Sequence, residues 1–212
     1  MAASDINRKT HWERVYSEKS ADQVSWFQPE PSQSLELIES TGVSRSAPII
    51  DVGAGASVLV DYLLMRGYTD VSVLDIASNA LELSKARLGK RSQAVQWWVS
   101  DVTEFRPDRR FMLWHDRAVF HFLTDPFLRE KYRETLLRVL KPGGHLIIGT
   151  FALDGPLKCS GLEIVQYDSP KLLAELGPEF SLRDEQHEEH VTPAGSVQKF
   201  SWFILDFLGA LN

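Results

Sequence analysis

Short β-branched and apolar runs alternate with longer amphipathic stretches along this 212-residue chain, and four successive runs close on an aspartate. They are APIID, ending at Asp51, DVSVLD (70–75), AVQWWVS (94–100) with Asp101 after it, and FMLWHD (111–116). The alternation predicts βα units and a parallel sheet, because parallel neighbours need a crossover and that crossover is usually a helix. Ligands of open α/β sheets bind outside the carboxyl ends of the strands. Four acids in register at those ends therefore point to a binding rim.

The remaining punctuation fits a three-layer α/β domain. Thr10-His-Trp-Glu13 has the form of a capping box, which predicts a helix from about His11 to Lys19. A loop, VSWFQPEP (24–31), is held extended by its prolines, and a second helix covers about Ser32 to Ser40. APIIDVGAGAS (47–57) reads as strand, glycine turn and helix start, the helix carrying Leu59, Tyr62 and Leu63 and stopping at Gly67. Ser78 is a candidate cap for a helix to about Leu88. Asp125-Pro126 opens a helix that stops at KPGG (141–144), before a fifth strand, HLIIGTF (145–151). Ser169-Pro170 opens a short helix ending at Gly177, and LKCSGL, with Cys159, reads as a loop. Runs at 180–191 and 196–207, parted by Thr192-Pro-Ala-Gly195, predict an antiparallel hairpin at the sheet edge.

Composition narrows the function classes. Lys plus Arg total 23 against 29 Asp plus Glu, a net charge of −6 that suits no general nucleic-acid binder. The basic cluster KARLGKR (85–91) falls on a predicted helix and reads as a solvated face. One cysteine supplies neither a disulfide nor a zinc thiolate set. The longest apolar stretches, such as LIIGTFAL (146–153), fall short of the roughly 20 residues of a membrane span. MAASDINRKTHWERVY has no apolar core of a secretion signal, so a cytoplasmic location is expected, with no membrane partner.

The glycine turn is the strongest chemical feature. Gly53 and Gly55 allow a sharp bend and close approach of a ligand, with the following helix aiming its free N–H groups into the turn. Asp51 would repel a pyrophosphate but attract an ammonium group, and Val58 stands where a dinucleotide fingerprint has its third glycine. Asp75 can accept from both ribose hydroxyls or act as a loop acid, and Asp101 can accept from an exocyclic amine. Asp116-Arg117 and His121 are the catalytic candidates. Arg117 would pair with a carboxylate, either a cofactor's or that of Asp116; His121 would be a base or a packed histidine. Trp12, Tyr16, Trp26 and Phe27 could pack on a cation or an amine substrate, or staple the N-terminal helices to the domain. His187 and His190 fall on opposite faces of a strand, so no metal site is expected.

Together DVGAGAS (51–57), VLDIAS (73–78), SDVTEF (100–105), WHDRAVFHF (114–122) and LLRVLKPGGHLIIGTF (136–151) make the chain resemble the class I S-adenosylmethionine-dependent methyltransferases, over about Ile49 to Phe151. The resemblance implies a three-layer α/β/α, doubly wound, mixed seven-stranded sheet of order 3-2-1-4-5-7-6, with strand 7 antiparallel. It implies S-adenosyl-L-methionine as cofactor, with Gly53, Ala54 and Gly55 at its methionine end, Asp75 on the ribose, and Asp101 with Val102 at the adenine. Asp51, Ser57, Ile76 and Asp116 complete that set, Ser57 departing from the glycine of many members. Tyr16, Trp26 and Phe27 are the substrate-side candidates. On this division residues 1–46 form a helical segment covering the cleft and 47–212 the cofactor-binding domain. The N-terminal HWERVYSEKSADQVSWFQPEP is similar both to small lysine methyltransferases of translation elongation factors and to small-molecule methyltransferases of the thiopurine and tellurite-resistance kind. The expected function is methyl transfer to a small molecule, with a protein lysine as the alternative acceptor. A non-catalytic cofactor-binding protein and a nicotinamide-dependent oxidoreductase stand behind both.

Overall fold

A computed structural model describes residues 8–209. Residues 1–7, where MAASDINRKTHWERVY and the N-terminal 1–46 unit begin, lie outside the described residues. The elements run α1 (Arg8–Glu18), a 3-10 turn (Ala21–Gln23), α2 (Ser32–Ser40), β1 (Ile49–Val52), α3 (Leu59–Met65), β2 (Val71–Asp75) and α4 (Ser78–Leu88). A second 3-10 stretch (Gly89–Ala94) leads to β3 (Val95–Val99) and β4 (Phe111–Arg117), and a third (Phe120–Phe122) to α5 (Pro126–Val139) and β5 (Leu140–Phe151). A small hairpin, β6 (Lys158–Cys159) and β7 (Leu162–Glu163), precedes α6 (Ser169–Leu176), β8 (Phe180–Val191) and β9 (Val197–Phe207).

The large sheet has the order β3-β2-β1-β4-β5-β9-β8. β1 to β5 run parallel, and β9 is antiparallel to both neighbours. With β8 and β9 counted as its sixth and seventh strands, this is the order the resemblance implies. The order reverses between β1 and β4, where Asp51 pairs with His115 and Val52 with Asp116. A crevice at such a reversal is where this class of sheet takes ligands.

Both faces of the central strands are covered, so β1 and β2 are buried throughout. Side chains of alternate parity go to opposite layers. Trp114, Ile148 and Phe203 pack with Tyr132 and Leu136 of α5 and Leu172 of α6. Leu113, Ile147 and Trp202 pack with Leu35 and Ile38 of α2, Leu63 of α3 and Leu81 of α4. Among the described residues no helix is long and apolar enough to cross a membrane.

Four local expectations are corrected. Glu13 does not close a box on Thr10, since α1 already starts at Arg8. Its carboxylate instead accepts from Ser78 N (2.8 Å), Ser78 Oγ (2.8 Å) and Asn79 N (3.4 Å). Ser78 is thus inside α4, and the orphan N–H groups of that helix are capped from a different helix. Glu13→Ala should cost about 1 kcal/mol and lower Tm by roughly 2–4 °C, while Glu13→Gln keeps part of this. Thermal unfolding checks it, and an unchanged Tm in the alanine variant would show that the cap carries no stability. KPGG does not stand outside β5: Leu140 pairs with Phe111, the chain bulges, and pairing resumes at His145 with Leu113. Gly143, at φ 77, makes that detour. Cys159 sits in a hairpin rather than a loop and is buried.

Candidate functional site

β1 delivers the chain into a turn that only glycine fits. Gly53 and Gly55 have φ of 62 and 54, and a Cβ on the first would overlap Val119 Cγ2, on the second Tyr16 Oη. Gly53 N donates to Leu74 O at 2.7 Å, and Ser57 Oγ accepts from Leu59 N at 3.1 Å where α3 begins. At the end of β2, Asp75 accepts from Gly55 N (2.7 Å) and Ala77 N (2.8 Å). Burial, with some help from Asp51, pushes its carboxyl up to about 6 despite those bonds.

Asp51 lies beside β4. Its Oδ1 is 2.7 Å from His115 Nδ1, and His115 Nε2 is 3.0 Å from Ser34 Oγ on α2. With the ring proton on Nδ1, the imidazole donates to Asp51 and accepts from the serine hydroxyl. This buried chain fixes the carboxylate at the mouth of the turn. Asp101 is engaged from the other side: Oδ2 accepts from Arg8 Nη2 at 2.7 Å, and Oδ1 from Thr103 N and Oγ1 at 2.9 and 2.7 Å.

A cleft of about 860 Å³, open to solvent, runs past these groups, and a smaller one of about 560 Å³ adjoins it. Asp75, Ile76, Asp101 and Val102 line the larger; Asp51, Ala54, Ser57 and Phe27 line the smaller. Gly53, Tyr16, Trp26 and Arg117 border both. Trp12, Trp26 and Phe122 meet edge to face, with ring centroids 5.1 Å apart for Trp12–Phe122 and 5.8 Å for Trp12–Trp26. The N-terminal aromatics thus form a wall of the cleft and a staple at once.

Two of the three catalytic candidates lie off the walls. Asp116 is 0% exposed and shares the α5 layer with Trp114, as strand alternation from His115 and Arg117 requires. It accepts from Tyr132 Oη (2.6 Å), Val119 N (2.8 Å) and Phe120 N (3.2 Å), so it holds the turn at Ala118, φ 68, rather than facing a ligand. Burial pushes it to about 6. His121 is also 0% exposed, packed 4.4 Å from Phe122 and 4.9 Å from Phe151 by ring centroids. Burial pushes it down to about 3, so the ring is neutral, and it is not the cleft-lining base that its position suggested. Arg117 does not pair with Asp116: its Nη1 donates to Trp26 O at 2.9 Å.

Several wall residues were not singled out from sequence. Arg8 precedes Trp12 and Tyr16 at helical spacing, a signal that was available. Phe151, Gln198 and Phe200 come from β5 and β9, and only the tertiary fold brings them in.

The donor set suits S-adenosylmethionine. Gly53 and Ala54 bring backbone to the cleft walls, Asp51 suits an ammonium, Asp75 suits a diol, and apolar Ile76 and Val102 suit a base. Residues 49–144 match a family model described as "Methyltransferase domain". The chain is 33% identical over 146 residues to the 2-heptyl-1-hydroxyquinolin-4(1H)-one methyltransferase of Mycobacteroides abscessus, covering 65% of this chain and 62% of that one. It is 25% identical over 165 residues to EEF1A lysine methyltransferase 2 of Danio rerio, covering 69% of this chain and 70% of that one. The 1,6-didemethyltoxoflavin-N1-methyltransferase of Burkholderia thailandensis, solved with its substrate and S-adenosylhomocysteine, superposes with a TM-score of 0.68 at 19% identity, over 98% of this chain and 92% of that one. The chain therefore spans about three fifths of the first curated relative and nearly all of the solved fold.

Proposed function

We propose that this chain is a class I S-adenosylmethionine-dependent methyltransferase that transfers a methyl group to a small molecule, a reading supported by its fold and by the family model that residues 49–144 match. The observation that carries this is the pair Asp51 and Asp75 flanking the glycine turn on the walls of two adjoining clefts. The cofactor supplies an activated methyl group on a sulfonium, so the chain's work is to bind, align and exclude water. Asp51, steadied by His115, holds the ammonium. Asp75 holds the ribose. Gly53, Ala54, Gly55 and Ser57 border the methionine end, and Ile76 and Val102 flank the adenine, with Asp101 tied to Arg8 beside them. Tyr16, Trp26 and Phe27 cover the transfer point from the N-terminal segment 1–46. Asp116 and His121 position the β4 turn from within the core.

A small acceptor fits an aromatic cleft that α1 partly closes, and it accords with the quinolone relative. A lysine of a protein is the second reading, favoured by the similarity to the elongation-factor enzyme. Calorimetry with S-adenosylhomocysteine and with NAD tests the cofactor: the former should bind and the latter should not. Tritiated-methyl labelling of a size-fractionated lysate tests the acceptor. Label confined to the protein fraction would reverse the order of the two readings.

The raised carboxyl of Asp75 gives a pH signature. Ribose hydroxyls donate to the ionised form, so binding must expel a proton wherever the free protein holds one. Affinity for S-adenosylhomocysteine should then be level above pH 7 and fall by up to about tenfold per pH unit below about 6. Asp75→Asn should remove the slope. Titrations from pH 5 to 7.5 with a flat profile in the parent would sink the assignment.

A further inference from the structure

Arg117 carries a charge that the protein answers only in part. Nη1 donates to Trp26 O at 2.9 Å, and Cζ stands 4.9 Å from the Phe200 ring centroid. Nε and Nη2 are buried with no hydrogen-bond partner among the described residues, and so is Gln198 Oε1. Both residues line the large cleft, where Trp26, Phe151 and Phe200 supply aromatic wall. Two carboxylates act on Arg117 through space, Glu188 and Asp51, as does the Cys159 thiol. Each carboxylate has other partners: Glu188 accepts from Gln28 Nε2 and Trp202 Nε1, both at 2.8 Å, and Asp51 binds His115.

A guanidinium keeps its charge, and losing its hydration without a partner is costly. Nε and Nη2 together form the edge that takes two oxygens of one acid side by side. The unpartnered Gln198 carbonyl asks for a donor nearby. A cationic side chain is repelled at this spot.

The geometry points to an acidic aromatic ligand at the acceptor end of the cleft: a planar ring whose carboxylate, or comparably acidic oxygen, seats on Arg117, with an O–H or N–H directed to Gln198. That such a ligand is the methyl acceptor rests on the methyl-transfer reading; the anion site itself does not.

Calorimetric titration of 2-naphthoate, 2-naphthylmethanol and 2-naphthylmethylammonium, with and without saturating S-adenosylhomocysteine, tests this. 2-Naphthoate should bind at least tenfold tighter than the other two, Arg117→Met should erase that preference, and Gln198→Leu should leave it in place. Arg117→Lys, which keeps the charge but not the fork, should keep only part of it and serves if the methionine variant does not fold. Affinity for S-adenosylhomocysteine should stay within threefold of the parent in each variant. Equal or tighter binding of the ammonium compound, no binding of 2-naphthoate, or 2-naphthoate binding that survives Arg117→Met would overturn the inference. A tenfold loss of S-adenosylhomocysteine affinity in the Arg117 variants would overturn it too, by giving the arginine to the cofactor's own carboxylate. If the parent binds no S-adenosylhomocysteine, methyl transfer fails as a reading, and the titrations on the free protein still decide the anion site.

Discussion

Asp116→Ala is expected to cost about 3–5 kcal/mol of folding stability, the largest loss of any single side chain at this rim. Three donors converge on the carboxylate, from Tyr132 Oη, Val119 N and Phe120 N, and all would be left buried without an acceptor. The two backbone groups belong to a turn that enters through Ala118 at a positive φ, so nothing else relaxes to meet them. Val119 in turn abuts the Gly53 position, which ties this turn to the glycine turn after β1. The loss should also carry a pH signature. The carboxyl is raised in the folded state to about 6, so its contribution is full below its ordinary value near 4 and is lost as pH rises through 6. The difference between parent and variant, measured by urea unfolding, should therefore shrink between pH 5 and pH 7.5. Tyr132→Phe, which removes one donor to Asp116 and leaves buried Trp114 Nε1 without its acceptor at 3.0 Å, should cost about 1–3 kcal/mol. A cost near 1 kcal/mol for Asp116→Ala, equal at both pH values, would mean that the turn holds itself.

What the sequence made legible divides along the line between local and tertiary causes. Strand ends, the glycine turn and the terminal hairpin rest on neighbours in the chain, and each of them is where the residues place it. The Asp125 cap is another such case, its side chain accepting from Phe127 N at 2.9 Å. Strand order came from a resemblance, because periodicity says that strands exist but not which pair. The aspartate rule then ran too far. A strand end fixes the height of a side chain along the sheet, while the parity of the residue fixes its face. Asp51 and His115 point to the α2 layer and Asp116 to the α5 layer, so acids at one height do different work. Glu13 shows the opposite failure: a short-range capping pattern was present, yet the side chain serves a helix some 65 residues away. The intrinsic acidity of His121 suits a base, and burial among Phe122 and Phe151 removes it. Arg8, Trp12 and Tyr16 were within reach as a stripe, whereas Gln198 and Phe200 enter the cleft only because β9 lies against β5.

Asp75→Ala should weaken S-adenosylhomocysteine by on the order of 1–3 kcal/mol, about five- to 150-fold. Two losses add here. The ribose loses a charged acceptor, and Gly55 N and Ala77 N lose the group that holds the turn and the start of α4. Affinity alone would not tell these apart, so the comparison must be made on the sugar. The parent should bind adenosine at least tenfold tighter than 2′,3′-dideoxyadenosine, because only the former offers hydroxyls to the carboxylate. In Asp75→Ala the two nucleosides should bind alike. Asp75→Asn retains one carbonyl acceptor and should keep a part of the discrimination while losing the charge-assisted share. If Asp75→Ala weakened both nucleosides equally and left their ratio at the parent value, the carboxylate would be a brace for the glycine turn and the ribose would be held elsewhere.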